Sequence, residues 1–202
     1  MKKLPRSFYL RPTLSVAKEL LGKFLVRRIG RQLLIGKIVE VEAYLGEKDP
    51  ASHAYRGKTK RNEVMFSKGG QLYVYFTYGM HFCANVVTQV EGVGEAVLIR
   101  AVEPIEGVNF MIKNRSKRRR GELKCWSNGV LEELTNGPAK FCQAFGIERK
   151  HNGTDLLGDE IFIASGAAIP KSMIGSSTRI GIKNATDKRW RFFVEGNSFV
   201  PK

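Results

Sequence analysis

With 202 residues, 43% of them hydrophobic, the chain can bury a sizeable core and is too apolar to be globally disordered. Thirty-four Lys and Arg against nineteen Asp and Glu give a formal charge of +15, which points to a polyanionic partner, nucleic acid ahead of an anionic membrane or another polyanion. Three widely spaced cysteines (Cys83, Cys125, Cys142) with no Cys-x-x-Cys pair argue against a disulfide framework and against zinc, and fit a reducing cytosol.

Residues 1–11 read as an extended N-terminal arm, charged but with no apolar stretch behind the charge, hence not a signal peptide. Residues 12–21 open on a proline, repeat Leu14, Ala17 and Leu21 at helical spacing, and stop at Gly22, which predicts a helix. Residues 24–29 and 32–44 read as strands around a turn at Gly30-Arg31. In the second strand, Val39, Val41 and Ala43 share one face, and Glu40, Glu42 and Tyr44 share the other. Residues 46–70 form a polar loop, too long to serve only as a connection.

Residues 72–77 are rich in strand formers, with Tyr73, Tyr75 and Thr77 on one face and Leu72, Val74 and Phe76 on the other. Tyr78-Gly79 then breaks the run as a turn or bulge does. The tyrosine face is either core, with its hydroxyls paired, or a surface on which nucleobases stack. The uncharged run 69–90 has the length of a membrane span, but Gln71, His81, Asn85 and Gln89 are costly in lipid, so two strands and a soluble, cytoplasmic protein are expected.

Residues 96–102 make a further apolar strand that carries Arg100, and 104–113 read as a helix. Residues 114–124 hold the densest block of positive charge and read as a basic loop, either solvated or in contact with phosphates. Residues 138–145, set between Gly137-Pro138 and Gly146, predict a short helix. The stretch 166–190 is loop-rich around a short apolar strand at 179–182, and 190–200 closes as a strand with a turn at Gly196. No repeat or linker interrupts the chain, which predicts one domain over residues 1–202.

Several of these residues can carry chemistry. Glu42, at a strand's end beside Tyr44, has the placement of a general base; Glu40 on the same face makes a pair of carboxylates, or else both lie on a solvent face. Arg100 inside an apolar strand calls for an acidic partner, Glu42 or Glu103. His53 in the polar loop reaches a phosphate or a leaving group, or does nothing, and Asn85 bonds a base edge or only a turn. No phosphate-binding glycine loop and no zinc-deaminase pattern is present.

Together, VEVEAYLG at 39–46 with His53, LYVYFTYGM at 72–80 with Cys83 and Asn85, LIRAVEPIEG at 98–107, NGPAK at 136–140 and RIGI at 179–182 resemble the alkyladenine (3-methyladenine) DNA glycosylase family, from about residue 12 to the C-terminus. The resemblance implies a mixed α/β (α+β) single domain with a curved, mostly antiparallel β-sheet flanked by helices. It implies a monofunctional glycosylase that hydrolyses the N-glycosidic bond of flipped-out alkylated or deaminated purines in double-stranded DNA. No metal or redox cofactor, no membrane and no obligate protein partner are expected, and the protein is expected to be a monomer. The resemblance assigns Glu42 as general base and Arg100 with the Ile180 main-chain carbonyl as holders of its water. It makes Tyr44, His53 and Tyr75 the pocket walls, Asn85 the group that screens out guanine, and Tyr78 the wedge that enters the duplex; Tyr73 is read as structural. Two rivals stand beside it: a non-catalytic nucleic-acid-binding protein, and a hydrolase of free nucleosides using Glu40 and Glu42 together.

Overall fold

The computed structural model of the protein describes residues 1–77, 79–116 and 131–201. Among them, four helices flank one nine-stranded sheet: α1 (Arg6–Tyr9), α2 (Thr13–Leu20), α3 (Val108–Ser116) and α4 (Pro138–Phe145) against β1 (Phe24–Ile29), β2 (Gln32–Leu45), β3 (Gln71–Thr77), β4 (His81–Thr88), β5 (Glu95–Glu106), β6 (Thr154–Asp155), β7 (Ile161–Ala164), β8 (Ile174–Ser177) and β9 (Arg191–Val194). The strand order is β6-β3-β4-β5-β2-β1-β7, with β9 also on β2 and β8 on β9, and the pairings are antiparallel, so the α+β expectation holds. No helix among the described residues is long and apolar enough to cross a membrane.

The sheet is organised by β2. One edge of it pairs with β5 along almost its whole length, while the other is shared in sequence by β1, through residues 32–37, and by β9, through residues 40–42. The β2–β5 register shifts twice around Glu40, skipping Val39 on one strand and Arg100 on the other. Each skip is a bulge, which bends its strand and re-aims the side chains beside it.

One face of the sheet packs on α2 and α4: Val16, Ala17, Leu20, Phe141 and Phe145 meet Leu34, Ile38, Val41, Leu72 and Ile99 in the main core. Full burial of each such side chain contributes roughly 1.5–3 kcal/mol. The opposite face of β3, β4 and β5 is covered by residues 46–70, where Ala54, Met65 and Phe66 pack on Tyr73, Val87 and Ala96. Buried Asn62 staples this loop by donating from Nδ2 to the carbonyls of His53 (2.8 Å) and Gly57 (3.0 Å). The loop is therefore a lid fixed over the tyrosine face.

Three expectations need correction. The N-terminal arm is not extended throughout: after Pro5 it turns into α1, because Tyr9 buries in the core and Arg6 binds Gly69 O (2.8 Å) and Asp155 (2.6 Å). The helix expected from residue 104 starts only at Val108; β5 runs through Pro104, which sits beside the register shift opposite Gly36, where a missing N–H is tolerated. Gly107 (φ 78°) makes the change of direction, and a Cβ there would lie 2.5 Å from Leu33 O. Residues 179–182 are no strand; β8 lies upstream at Ile174–Ser177. Of the basic loop, only residues 114–116 are described, as the end of α3; the rest falls outside the described residues, as does Tyr78.

Candidate active site

Of the two readings of the β2 face, the solvent face is ruled out: Glu40 and Glu42 are both fully buried. What makes this possible is Arg100. As the residue skipped in the β5 register, it aims its guanidinium at both carboxylates, donating from Nε to Glu40 Oε1 at 2.9 Å and pairing through Nη1 with Glu42 Oε1 at 3.1 Å. Arg191 of β9 reaches Glu40 Oε1 from the other side at 2.5 Å. Two guanidiniums thus balance two carboxylates. Of the two acids expected as partners of Arg100, Glu42 is one; Glu103 instead pairs with Lys37 at 2.6 Å.

Glu42 accepts two further bonds, from the Tyr44 hydroxyl to Oε2 (2.8 Å) and from the Ile180 N–H to Oε1 (2.8 Å). Burial pushes its carboxyl above the ordinary range, and the Arg100 charge, the Ile180 N–H and the Tyr44 hydroxyl pull back against that push. Burial lowers the Arg100 pKa, but Glu42 and Glu40 outweigh it, so the guanidinium is held more firmly charged than usual. The result is a solvent-excluded acid with three donors in place, opposed influences that can poise a carboxylate as a base.

Tyr44, Arg100 and Ile180, the three donors to Glu42, all face a cavity of about 570 Å³. Glu42 itself stands behind them and is not among the wall residues. The remaining walls include His53, Met65, Tyr73, Tyr75, Cys83, Asn85, Leu98 and Pro138. His53 meets the Tyr75 ring edge-on at 4.5 Å, and Tyr75 stacks against Tyr73 at 5.5 Å with 30° between the planes. Burial, with Arg61 nearby, lowers the His53 pKa and keeps the ring neutral; burial raises the Tyr73 hydroxyl to about 12. Asn85, directly across from Tyr73 in the β3–β4 ladder, donates from Nδ2 to Tyr73 O at 3.1 Å. An aromatic box that also presents Asn85, Arg100 and tyrosine hydroxyls is suited to a flat, partly polar ring.

The structure therefore brings Arg100, Ile180, Tyr44, His53, Tyr75 and Asn85 to the wall of one cavity, with Glu42 bonded behind the first three. Ile180 meets Glu42 through its N–H. The β3–β4 register runs without a shift to the Thr77–His81 pair, so β3 carries no bulge as far as Thr77. Tyr73, read as structural, also lines the cavity and joins its His53 wall to its Asn85 floor. Asp49, Arg179 and Arg191, which support the site from behind, carry no local signal in the sequence, because their partners lie 130 to 151 residues away. Among the described residues, no group of three or more His, Cys, Asp or Glu side chains is placed to hold a metal ion.

Comparison with known proteins adds a consistent finding. Residues 7–198 match the methylpurine-DNA glycosylase family profile. A Carboxydothermus hydrogenoformans protein provisionally named a 3-methyladenine DNA glycosylase is 50% identical over 201 residues, covering 98% of each chain. Relatives with the same provisional name are 46% identical in Chlorobium phaeovibrioides (98% of this chain, 95% of that one) and 46% identical in Clostridium acetobutylicum (98% and 97%).

Proposed function

Because this chain belongs to the methylpurine-DNA glycosylase family, we propose that it hydrolyses the N-glycosidic bond of damaged purines flipped out of double-stranded DNA, leaving an abasic site. The observation that carries the proposal is the buried Glu42 carboxylate, held by Arg100, Ile180 and Tyr44 at the back of the aromatic cavity.

Extruding a base costs a few kcal/mol, least for a damaged one, and stacking in the cavity returns roughly 1–3 kcal/mol per contact. Tyr44, His53 and Tyr75 supply that stacking, and a purine made cationic by alkylation gains from the π-faces. Asn85 crowds the amino group of a normal guanine, and Tyr78 fills the gap left in the duplex. Glu42 then takes a proton from a water held with Arg100 and the Ile180 main chain. As that proton transfers, the water oxygen bonds to C1′ and the C1′–N bond electrons leave with the base. The task is assigned to Glu42 because Tyr44 and Ile180, which line the cavity, bond Glu42, whereas Glu40 is bonded by Arg100 and by Arg191. Lys183 stands exposed at the cavity wall, but the reaction proposed uses water as nucleophile, so borohydride should trap no covalent protein–DNA species. The protein acts as a monomer on DNA.

The test is single-turnover base release from duplexes carrying 3-methyladenine, 7-methylguanine, hypoxanthine or ethenoadenine. Glu42→Gln is expected to keep lesion-duplex binding and to slow release by roughly 10²–10⁴-fold. Wild-type protein that binds alkylated duplex and releases no base from it would instead be a non-catalytic binding protein.

A further inference from the structure

An ion pair outside the chemistry just described touches three of the segments that build the cavity: the end of β2, the loop that carries His53 and the stretch that carries Ile180. Arg179 donates from Nη1 and Nη2 to the two carboxylate oxygens of Asp49, at 2.5 and 2.8 Å, and neither side chain reaches solvent. Its Nη1 also donates to Ala43 O at 3.0 Å, the main-chain carbonyl between Glu42 and Tyr44. The guanidinium lies against the Tyr44 ring at 4.6 Å and the Trp190 ring at 5.1 Å. Asp49, for its part, accepts from the N–H groups of Leu45 (3.3 Å) and Ala51 (3.1 Å), at the start of the turn that presents His53.

Ile180 follows Arg179 and donates its N–H to Glu42. The segment around it has no regular structure, Gly181 is in the left-handed region (φ 74°), and the Ile180 side chain is 47% exposed. Neither a strand nor its own burial therefore fixes this peptide. The anchor is Arg179. Stability alone does not explain such a pair, because well-packed apolar residues often replace buried ion pairs without loss.

We propose that Arg179, locked by Asp49, is a positioning residue for base excision, holding the Ile180 peptide and the Tyr44 ring so that Glu42 and its water stay aligned with the flipped nucleotide. The proposal rests on the reading of Glu42 as the general base. A misplacement of about 1 Å at such a site costs on the order of 10²-fold in rate. Lysine cannot substitute for arginine here, since it lacks the planar fork that spans Asp49 and stacks on the two rings.

The experiment compares wild type, Arg179→Lys and the double variant Asp49→Asn/Arg179→Gln, which leaves no unpaired charge if the lysine variant fails to fold. Three quantities are read below each protein's melting temperature: single-turnover release of 7-methylguanine, affinity for a duplex with a stable abasic analogue, and the pH dependence of the release rate. The expected result is a release rate lower by roughly 30–100-fold with affinity within about threefold. The acid limb of the profile should also move to higher pH, because Glu42 loses one donor to its charged form while Arg100, Glu40, Tyr44 and Cys83 still face it. Unchanged rate and limb in the folded variants would make the pair a stability element only, and overturn the proposal. Equal losses of rate and affinity would overturn it too, by assigning the pair to DNA grip. A wild-type protein that releases no base is a different failure, that of the Glu42 reading itself.

Discussion

The Tyr73 hydroxyl and His53 Nδ1 lie 3.1 Å apart inside the cavity wall, and this contact couples the imidazole tautomer to the orientation of the phenol. The phenol keeps its proton, with a pKa raised to about 12, and burial disfavours the imidazolium, so the expected arrangement has the hydroxyl donating to Nδ1. Nε2–H is then left as a donor. Nitrogen NMR of His53 should show a protonated Nε2 and a bare Nδ1 in wild type, and mixed tautomers in Tyr73→Phe. That variant should also lose roughly 5–10-fold in excision efficiency, the worth of one net hydrogen bond. A single unchanged tautomer in Tyr73→Phe would remove Tyr73 from this role.

Glu42 carries a stability signature that can be read without substrate. Its folded pKa is raised by burial, so its contribution to stability is fully present below the unfolded value of about 4.3 and is lost as pH rises through the folded value. Glu42→Gln removes the titration. Between about pH 4 and pH 8, the melting temperature of the variant should gain on that of wild type. A gap that moves the other way would mean that the three donors, not burial, dominate the site.

Arg191 completes a neutral set of four buried charges with Glu40, Arg100 and Glu42. Removing one partner of such a set leaves an uncompensated charge, at about 3–5 kcal/mol. For a chain of this size, Arg191→Met should therefore lower the melting temperature by roughly 10 °C. Combining it with Glu40→Gln should cost less than the sum of the single changes, because the two share one interaction. Thermal unfolding of the three variants decides this, and strict additivity would show that the two do not interact.

Acid should act on the fold through His151. Its Nε2 lies 3.0 Å from Arg27 Nη2, a contact that only an unprotonated nitrogen can accept. Burial first, and Arg27 second, hold its pKa below the usual value, although Glu160 opposes them at 3.4 Å. A lowered histidine pKa means that this stabilisation is present above about pH 6.5 and is lost as pH falls through the folded value. Cooling of the unfolding midpoint between about pH 8 and pH 5 should be smaller in His151→Gln than in wild type. Equal shifts would place the acid sensitivity elsewhere.

Much of the fold was legible because it is local. The alternation of 32–44, the aromatic run 72–77 and the Gly-Pro and Gly punctuation of 138–145 predicted β2, β3 and α4 to within a residue or two. Where sequence reading failed, a tertiary partner decided the outcome. Pro104 resembles a helix start, but the bulged pairing with β2 carries β5 past it. The run 179–182 has strand-like residues, yet its backbone serves Glu42 and its arginine serves Asp49. The carboxylates of β2 alternate as a solvent face does, and the charges of Arg100 and Arg191, brought in from far along the chain, help make their burial tolerable. Resemblance supplied the cavity residues one by one; it did not supply what holds them.

The shared edge of β2 also joins partners that lie near and far along the chain. Residues 32–37 find their partner in β1 a few positions away, whereas residues 40–42 wait for β9, about 150 positions later. A nascent or C-terminally clipped chain that stops short of residue 191 already has both carboxylates, the tyrosines and the histidine, but Glu40 lacks its second guanidinium and the strand bearing Glu42 has one bare edge. The arrangement around Glu42 thereby depends on residues 191–194, the last strand of the sheet.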